Sequence, residues 1–275
     1  MSRRLEGGSQ GAEVPASPVP ERGRTVAPRK DLGQHFLVDE NILRVIERLA
    51  QLDAADIVLE VGPGLGVLTR FLAAHVAHVH AVEVDRRLEP QLADIPRTDV
   101  HWADALRLDL AALTPAPRKL VANLPYNIAT PLVAESLVLE QLELWCVMVQ
   151  REVADRFFAS PSTKAYGAVS VLLQLTSKRT GWHPVSREVF RPRPNVESAL
   201  VAFERIAPGP SPGVRALVEA AFAHRRKTLA NAVALSGRAP REVAVEALAA
   251  IGRPPAVRAE ALEPAEFVAL AEALR

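Results

Sequence analysis

Ile57-Val58-Leu59-Glu60-Val61-Gly62-Pro63-Gly64-Leu65-Gly66 runs from a short apolar strand directly into a turn with three glycines. A helical stretch, Leu65 to Ala74, follows it. Strand, glycine turn and helix make the first half of a parallel crossover unit, and the pattern repeats downstream. Val79 to Val84 reads as a second strand closing on Glu83 and Asp85, Val100 to Ala103 as a third, and Lys119 to Ala122 as a fourth. Leu144 to Val149 is a fifth, after a helix from Pro131 to Leu139. Val169 to Thr176 and Ser198 to Phe203 complete the sheet as an antiparallel pair. Upstream, Asn41 to Leu52 carries a helical stripe of Ile42, Leu43, Val45, Ile46 and Leu49, with Asp39 available to cap it. Strands alternating with helices imply a Rossmann-like α/β fold with a mostly parallel seven-stranded sheet covered on both faces. Ligands of such sheets bind beyond the carboxyl ends of the strands. The polar motifs of this chain stand at those ends.

The rest of the chain divides around this core. Residues 1–28 are rich in Gly, Pro, Ser, Glu and Arg without apolar periodicity, and read as a disordered tail whose Arg3, Arg4, Arg22 and Arg24 are solvated or touch phosphate. Residues 29–206 form the sheet domain. Ala207-Pro208-Gly209-Pro210-Ser211-Pro212-Gly213 marks a boundary, and 207–275 reads as a small all-helical domain. The chain has 275 residues, 49% of them hydrophobic and 24% charged, as a globular protein does. No apolar run reaches the roughly 18 residues of a membrane span, and the first thirty residues lack the apolar core of a secretory signal. A cytoplasmic protein without membrane contact is expected. The single cysteine, Cys146, lies in a buried strand pattern and excludes a disulfide framework or a cysteine zinc cluster. The net charge of +1 argues neither for nor against a nucleic-acid partner, so such a case rests on local charge.

The turn after the first strand suits a phosphate-like or nucleoside ligand. Glycines let backbone approach a ligand closely, and the next helix offers its positive end; a plain tight turn has the same composition. Glu83 ends the next strand where dinucleotide folds place an acid for ribose hydroxyls. Nicotinamide dinucleotides and S-adenosylmethionine both fit. The Gly-x-Gly-x-Gly spacing favours the second, and Glu60 just before it resembles the acid of methyltransferases. Asp104, at the end of the third strand, can accept from an adenine amine or cap a helix.

Asn123-Leu124-Pro125-Tyr126-Asn127 ends the fourth strand. It resembles the motif that enzymes methylating nucleic-acid amines carry at this strand end, and the chemistry accounts for each residue. An exocyclic adenine nitrogen is a poor nucleophile because its lone pair is delocalised into the ring. Acceptors on its protons, the Asn123 side-chain oxygen and the Leu124 carbonyl, favour the pyramidal geometry that attacks in line. Pro125 stiffens the turn, and Tyr126 offers a ring on which the base stacks. A sulfonium leaving group makes a metal unnecessary. His75, His78 and His80, across a turn and a strand start, read as surface or structural residues with no metal.

With these motifs in place the chain resembles the bacterial 16S rRNA adenine dimethyltransferases, from about Lys30 to Leu274. The match includes Leu32-Gly33-Gln34-His35-Phe36-Leu37, the Glu60–Gly66 turn, Asn123 to Pro131, Gln150-Arg151-Glu152-Val153-Ala154, and Lys164-Ala165-Tyr166-Gly167. It continues through Val189 to Ala199 and Phe222 to Leu229. The resemblance implies a class I methyltransferase domain and an S-adenosylmethionine cofactor. It also implies dimethylation of two adjacent adenines in the 3′-terminal hairpin loop of 16S rRNA, within the immature small ribosomal subunit. Cofactor contacts would be His35, Leu37, Gly62, Glu83, Asp104 and Asn123. Phe190 would be a second aromatic wall opposite Tyr126. Arg225, Arg226 and Lys227, in a run that begins a helical stretch, would grip rRNA phosphates. A monomer is expected. His35 stands where the family commonly has Asn, and Arg151 where Lys is frequent.

Three rivals remain open at this level. A macrolide-resistance-type enzyme would methylate adenine in 23S rRNA, though that branch usually has Ile where Leu124 stands. A ribosome-assembly factor without turnover would not need Asn123 and Tyr126. A nicotinamide-dependent dehydrogenase leaves the Asn-Leu-Pro-Tyr turn unexplained.

Overall fold

The computed structural model describes residues 27, 29 and 34–275. The tail at 1–28, apart from Ala27, lies outside the described residues, as do Leu32 and Gly33. The elements in chain order are β1 (Phe36–Leu37), α1 (Asn41–Ala50), β2 (Ile57–Val61), α2 (Val67–His75), β3 (His78–Glu83), α3 (Glu89–Leu92) and β4 (Thr98–Trp102). Next come β5 (Lys119–Asn123), α4 (Ala129–Ser136), β6 (Leu144–Gln150), α5 (Arg151–Phe157), α6 (Ala168–Thr176), β7 (Ser177–Val185), β8 (Phe190–Arg191) and β9 (Ser198–Arg205). The chain ends in α7 (Pro212–Ala223), α8 (Leu229–Leu235), α9 (Arg241–Ala250) and α10 (Pro264–Ala273).

Seven strands form one sheet in the order β4-β3-β2-β5-β6-β9-β7. The first five are parallel neighbours, and β9 runs antiparallel between β6 and β7. Alternation along each strand divides the core. Val58, Val121, Cys146, Met148 and Leu200 face α1 and α2. Leu59, Leu120, Ala122, Val147 and Val201 face α4, α5 and α6. Burial pushes the Cys146 thiol up to about 12, so it is an inert core group. Asp39 Oδ1 accepts the Asn41 N–H at 2.8 Å, where α1 begins.

The structure corrects one strand and adds another. Val169 to Thr176 is helix α6, not a strand. Val169, Ser170, Val171, Leu172, Leu173 and Thr176 are all buried, because α6 lies between the sheet and α7 and α10. A helix covered all round loses its polar stripe and imitates a buried strand. The real partner of β9 is β7, Ser177–Val185, whose polar sequence with Gly181 and Pro184 conceals it. Such residues suit a sheet edge, where a missing ladder bond is harmless, and a register shift lies between Arg179 and Gly181.

The helices after Pro212 do not have a core of their own. Val214, Leu217, Val218, Leu229, Leu248 and Phe267 belong to the same apolar cluster as Leu172, Val201 and Phe203. The Tyr166 hydroxyl donates to the Leu262 carbonyl at 2.8 Å from a fully buried position. At the seam, the Arg205 guanidinium donates to the carbonyls of Leu137, Leu139, Leu142 and Ala207 and covers the Trp145 ring at 5.0 Å.

Candidate active site

The loops after β2, β3, β4 and β5 enclose one cleft at the carboxyl edge of the sheet. Its lining includes His35, Leu37, Gly62, Glu83, Asp104 and Asn123. Leu124, Pro125 and Tyr126 line it too. Sites dispersed over 88 residues of sequence, from His35 to Asn123, are thus brought together by four parallel strand ends and the β1 segment.

Gly62 sits at φ +76°, in the left-handed region, and a Cβ there would lie 3.0 Å from the Pro125 ring. Only glycine lets the β2 turn press on the β5 turn. The Glu83 carboxylate accepts the N–H groups of Gly64 (3.2 Å), Val84 (3.0 Å) and Asp85 (2.9 Å). Burial pushes its pKa up, against those amides, and the group stands at the cleft wall. Asp104 caps a turn at 105–108 and not a helix, and it stands at the cleft. Its Oδ1 accepts the Leu106 N–H at 3.0 Å, and its exposed side chain borders the cleft.

At the end of β5 the Asn123 Nδ2 donates to the His35 carbonyl at 3.1 Å. That bond fixes which end of the amide is which, and leaves Oδ1 as an acceptor with no partner among the described residues. The Leu124 N–H donates to the Met148 carbonyl at 3.0 Å, which ties the turn to β6. The Tyr126 hydroxyl shares a 2.7 Å hydrogen bond with Ser198, a buried residue at the start of β9. The His35 ring lies 5.2 Å from the Tyr126 ring, tilted by 32°. His35 Nδ1 donates to the Pro192 carbonyl at 2.8 Å, since a carbonyl only accepts, and Nε2 is the atom left for other contacts.

Two expectations change. Phe190 has no exposed surface: β8 pairs with β1, Leu37 opposite Phe190, and the ring joins the core under α1. A ring so enclosed is not an open wall for a base, and the aromatic neighbour of Tyr126 is His35. The basic run does not begin a helix: α7 ends at Ala223, and 224–227 form the exposed turn before α8, closed by Lys227 N–H to the His224 carbonyl at 2.8 Å. Arg225 donates to Glu260 and to the Lys164 carbonyl, both at 3.3 Å. Arg226 and Lys227 have no ion pair among the described residues.

The sequence carries no signal for the part played by Ser198, and it marks Glu60 only as a motif acid without a stated contact. Glu60 is 1% exposed, lines the cleft, and has Oε2 without a hydrogen-bond partner. Burial pushes its carboxyl up to about 8. The folded chain therefore holds a proton that the unfolded chain releases above its ordinary value of 4.5. Stability on this account is fullest at low pH and declines as pH rises toward 8, by roughly 1.4 kcal/mol per unit of pH. Glu60→Gln, which imitates the protonated acid, is expected to flatten the decline in urea unfolding free energy between about pH 5 and 8. Glu83 shifts in the same direction and leaves a residual slope. An unchanged slope in the variant would assign the effect elsewhere.

A sheet of this order, with a glycine turn after β2 and an Asn-Leu-Pro-Tyr turn after β5, defines a Rossmann-like, class I methyltransferase. The family model for ribosomal RNA adenine dimethylases matches residues 26–272. The chain belongs to that family. It is 50% identical over 255 residues to the ribosomal RNA small subunit methyltransferase A of Rubrobacter xylanophilus, covering 90% of this chain and 95% of that one. Among solved structures, a dimethyladenosine transferase from Plasmodium falciparum is similar in fold, with a TM-score of 0.70 at 23% identity over 86% of this chain and 96% of that one. The 23S rRNA methyltransferase ErmE is similar with a TM-score of 0.59 at 27% identity, over 87% and 99%. No helix among the described residues is long and apolar enough to cross a membrane.

Proposed function

We propose that this chain uses S-adenosylmethionine to dimethylate N6 of two adjacent adenines in the 3′-terminal hairpin loop of 16S rRNA, acting as a cytoplasmic monomer on the immature small subunit. The observation that carries the reading is the amide of Asn123 at the cleft, pinned through Nδ2 so that Oδ1 remains as an acceptor. The chain's own features fit the cofactor: a glycine turn at the cleft, drawn in against Pro125 and Phe36 so closely that no Cβ is tolerated, and a buried Glu60 oxygen without a partner at the cleft wall. When bound, that cofactor supplies a methyl group on a positively charged sulfur, which leaves as a neutral thioether. Leu37, Gly62, Glu83 and Asp104 would hold its nucleoside portion, and Glu60 would meet the polar groups at its other end.

Asn123 Oδ1 and the Leu124 carbonyl would accept hydrogen bonds from the two amine N–H groups in the first transfer and from the one that remains in the second, orienting the nitrogen lone pair. This costs no rearrangement at the moment of transfer, because both acceptors are fixed beforehand. Each transfer leaves a cationic nitrogen, which would release one proton to water. Tyr126, held by Ser198, gives the extruded base a face to stack on. Its hydroxyl stays neutral, since burial raises its pKa. A loop adenine is already partly unstacked and costs less to extrude than a paired one.

The test is methyl transfer from labelled cofactor to immature small subunits and to large subunits, with the product nucleoside identified by mass. Dimethyladenosine in small-subunit rRNA alone is the expected result. Label in 23S rRNA would assign the ErmE-type reaction instead, and no label in either would leave an assembly factor.

Arg226 and Lys227 would contact rRNA phosphates. Replacing both by alanine is expected to lower the slope of log affinity against log salt by about 0.7–0.9 per lost phosphate contact. Filter binding at several salt concentrations measures it. An unchanged slope would remove the turn from the RNA interface.

A further inference from the structure

We propose that His78, His80, Asp99 and His101 form a zinc-class divalent cation site that clips the edge strand β4 to β3. The proposal does not depend on the methyl-transfer reading. In the sequence these histidines look like incidental members of a strand. The parallel register pairs His80 with Asp99 and Val82 with His101, and with a two-residue period this sets all four side chains on one face of the sheet.

The contacts are those of a ligand set. His78 Nε2 lies 3.1 Å from Asp99 Oδ2, and His80 Nδ1 lies 3.1 Å from His101 Nε2. The ligand atoms of His78, His80 and Asp99 all fall within 4.8 Å of one another. Around a tetrahedral zinc with bonds of about 2.0–2.1 Å, neighbouring ligand atoms stand roughly 3.3 Å apart. Asp99 and His78 have room to turn to that spacing, with side chains 58% and 19% exposed, while His101 joins the group through His80 alone.

The buried member supplies the stronger indication. His80 is 1% exposed, and its Nε2 lies 2.8 Å from the Pro115 carbonyl. A carbonyl only accepts, so Nε2 carries the hydrogen and Nδ1 of the neutral ring presents a lone pair to the cluster. A ring nitrogen bonded to backbone carbonyl is how proteins orient a metal-binding histidine. Three imidazoles and one carboxylate select zinc over magnesium or calcium, which take oxygen ligands. His75 is not part of the set. Its Nδ1 donates to the Phe71 carbonyl at 2.7 Å, within α2.

The clip joins the two strands whose far ends carry Glu83 and Asp104, so a bound ion would steady that side of the cleft from the sheet edge.

The test uses full-length, untagged protein stripped with a chelator, then titrated with zinc against a chromophoric competitor. Wild type is expected to bind one equivalent, and cobalt in its place to show the visible bands of a tetrahedral ion. His78→Ala and His101→Ala should each weaken binding by about tenfold or more and abolish the bands. Both residues are partly exposed, and the zinc-free unfolding midpoint of each variant checks that it remains folded. Zinc should raise the unfolding midpoint of wild type and not of His78→Ala. Absence of binding, or equal binding by wild type and both variants, would overturn the site in favour of a metal-free histidine network.

Discussion

Asn123→Ala is expected to reduce methyl transfer by at least about 100-fold, while the protein stays folded and binds S-adenosylmethionine more weakly. Fixed polar groups that meet a transition state typically contribute 10²–10³ in turnover each. Two effects add in this position. Alanine removes the Oδ1 acceptor, and it also frees the His35 carbonyl that Nδ2 now holds at 3.1 Å. The segment carrying His35 and Leu37 then loses one of its ties to β5. Asn123→Asp separates the two effects. It keeps acceptors but has no donor for the His35 carbonyl, and is expected to lose activity through misplacement, with weaker cofactor binding. Single-turnover transfer on small subunits measures the first effect and calorimetry with S-adenosylmethionine the second. Turnover within about threefold of wild type in Asn123→Ala would move the chemistry off β5.

Arg205→Ala is expected to cost about 3 kcal/mol of unfolding free energy. Its guanidinium feeds four carbonyls, three of them from the stretch between α4 and β6. Each carbonyl left without a donor costs roughly 1–3 kcal/mol where water cannot replace it. The cation also lies near the carboxyl end of α4, where the helix dipole favours positive charge, and covers Trp145, which itself stacks on Phe203. Lysine has one point charge in place of a planar fork and cannot reach all four acceptors, so Arg205→Lys should recover only part of the loss. Urea unfolding with both variants measures this. A loss below about 1 kcal/mol for alanine would mean that water takes over the carbonyls.

The site was more legible in the sequence than parts of the fold. Gly62, Glu83, Asp104 and Asn123 stand at strand ends, and strand ends converge in a parallel sheet, so their order along the chain was enough to gather them. Three features were hidden for physical reasons. Helix α6 is buried on every side, which erases the polar stripe that distinguishes a helix. Strand β7 is an edge strand and tolerates Lys178, Arg179, Gly181 and Pro184, which a central strand would not. Phe190 looks like any exposed loop aromatic until its two-residue pairing with β1 is known, and pairing between residues 37 and 190 has no local signal. Glu60 was visible as part of a motif. That its oxygen is buried without a partner depends on everything packed around it.

The apolar cluster that runs without a break from α6 and β9 into α7, α8, α9 and α10 has a consequence for how this chain comes apart. The Pro/Gly segment after Arg205 looks like a hinge and a place to cut the chain in two. Yet a cut at that point severs one covalent bond and none of the packing of Leu172, Val201 and Phe203 against Val214, Leu217 and Phe267. The two fragments would stay associated and melt in a single transition. The linker separates the units in composition, and the interior makes them one cooperative body.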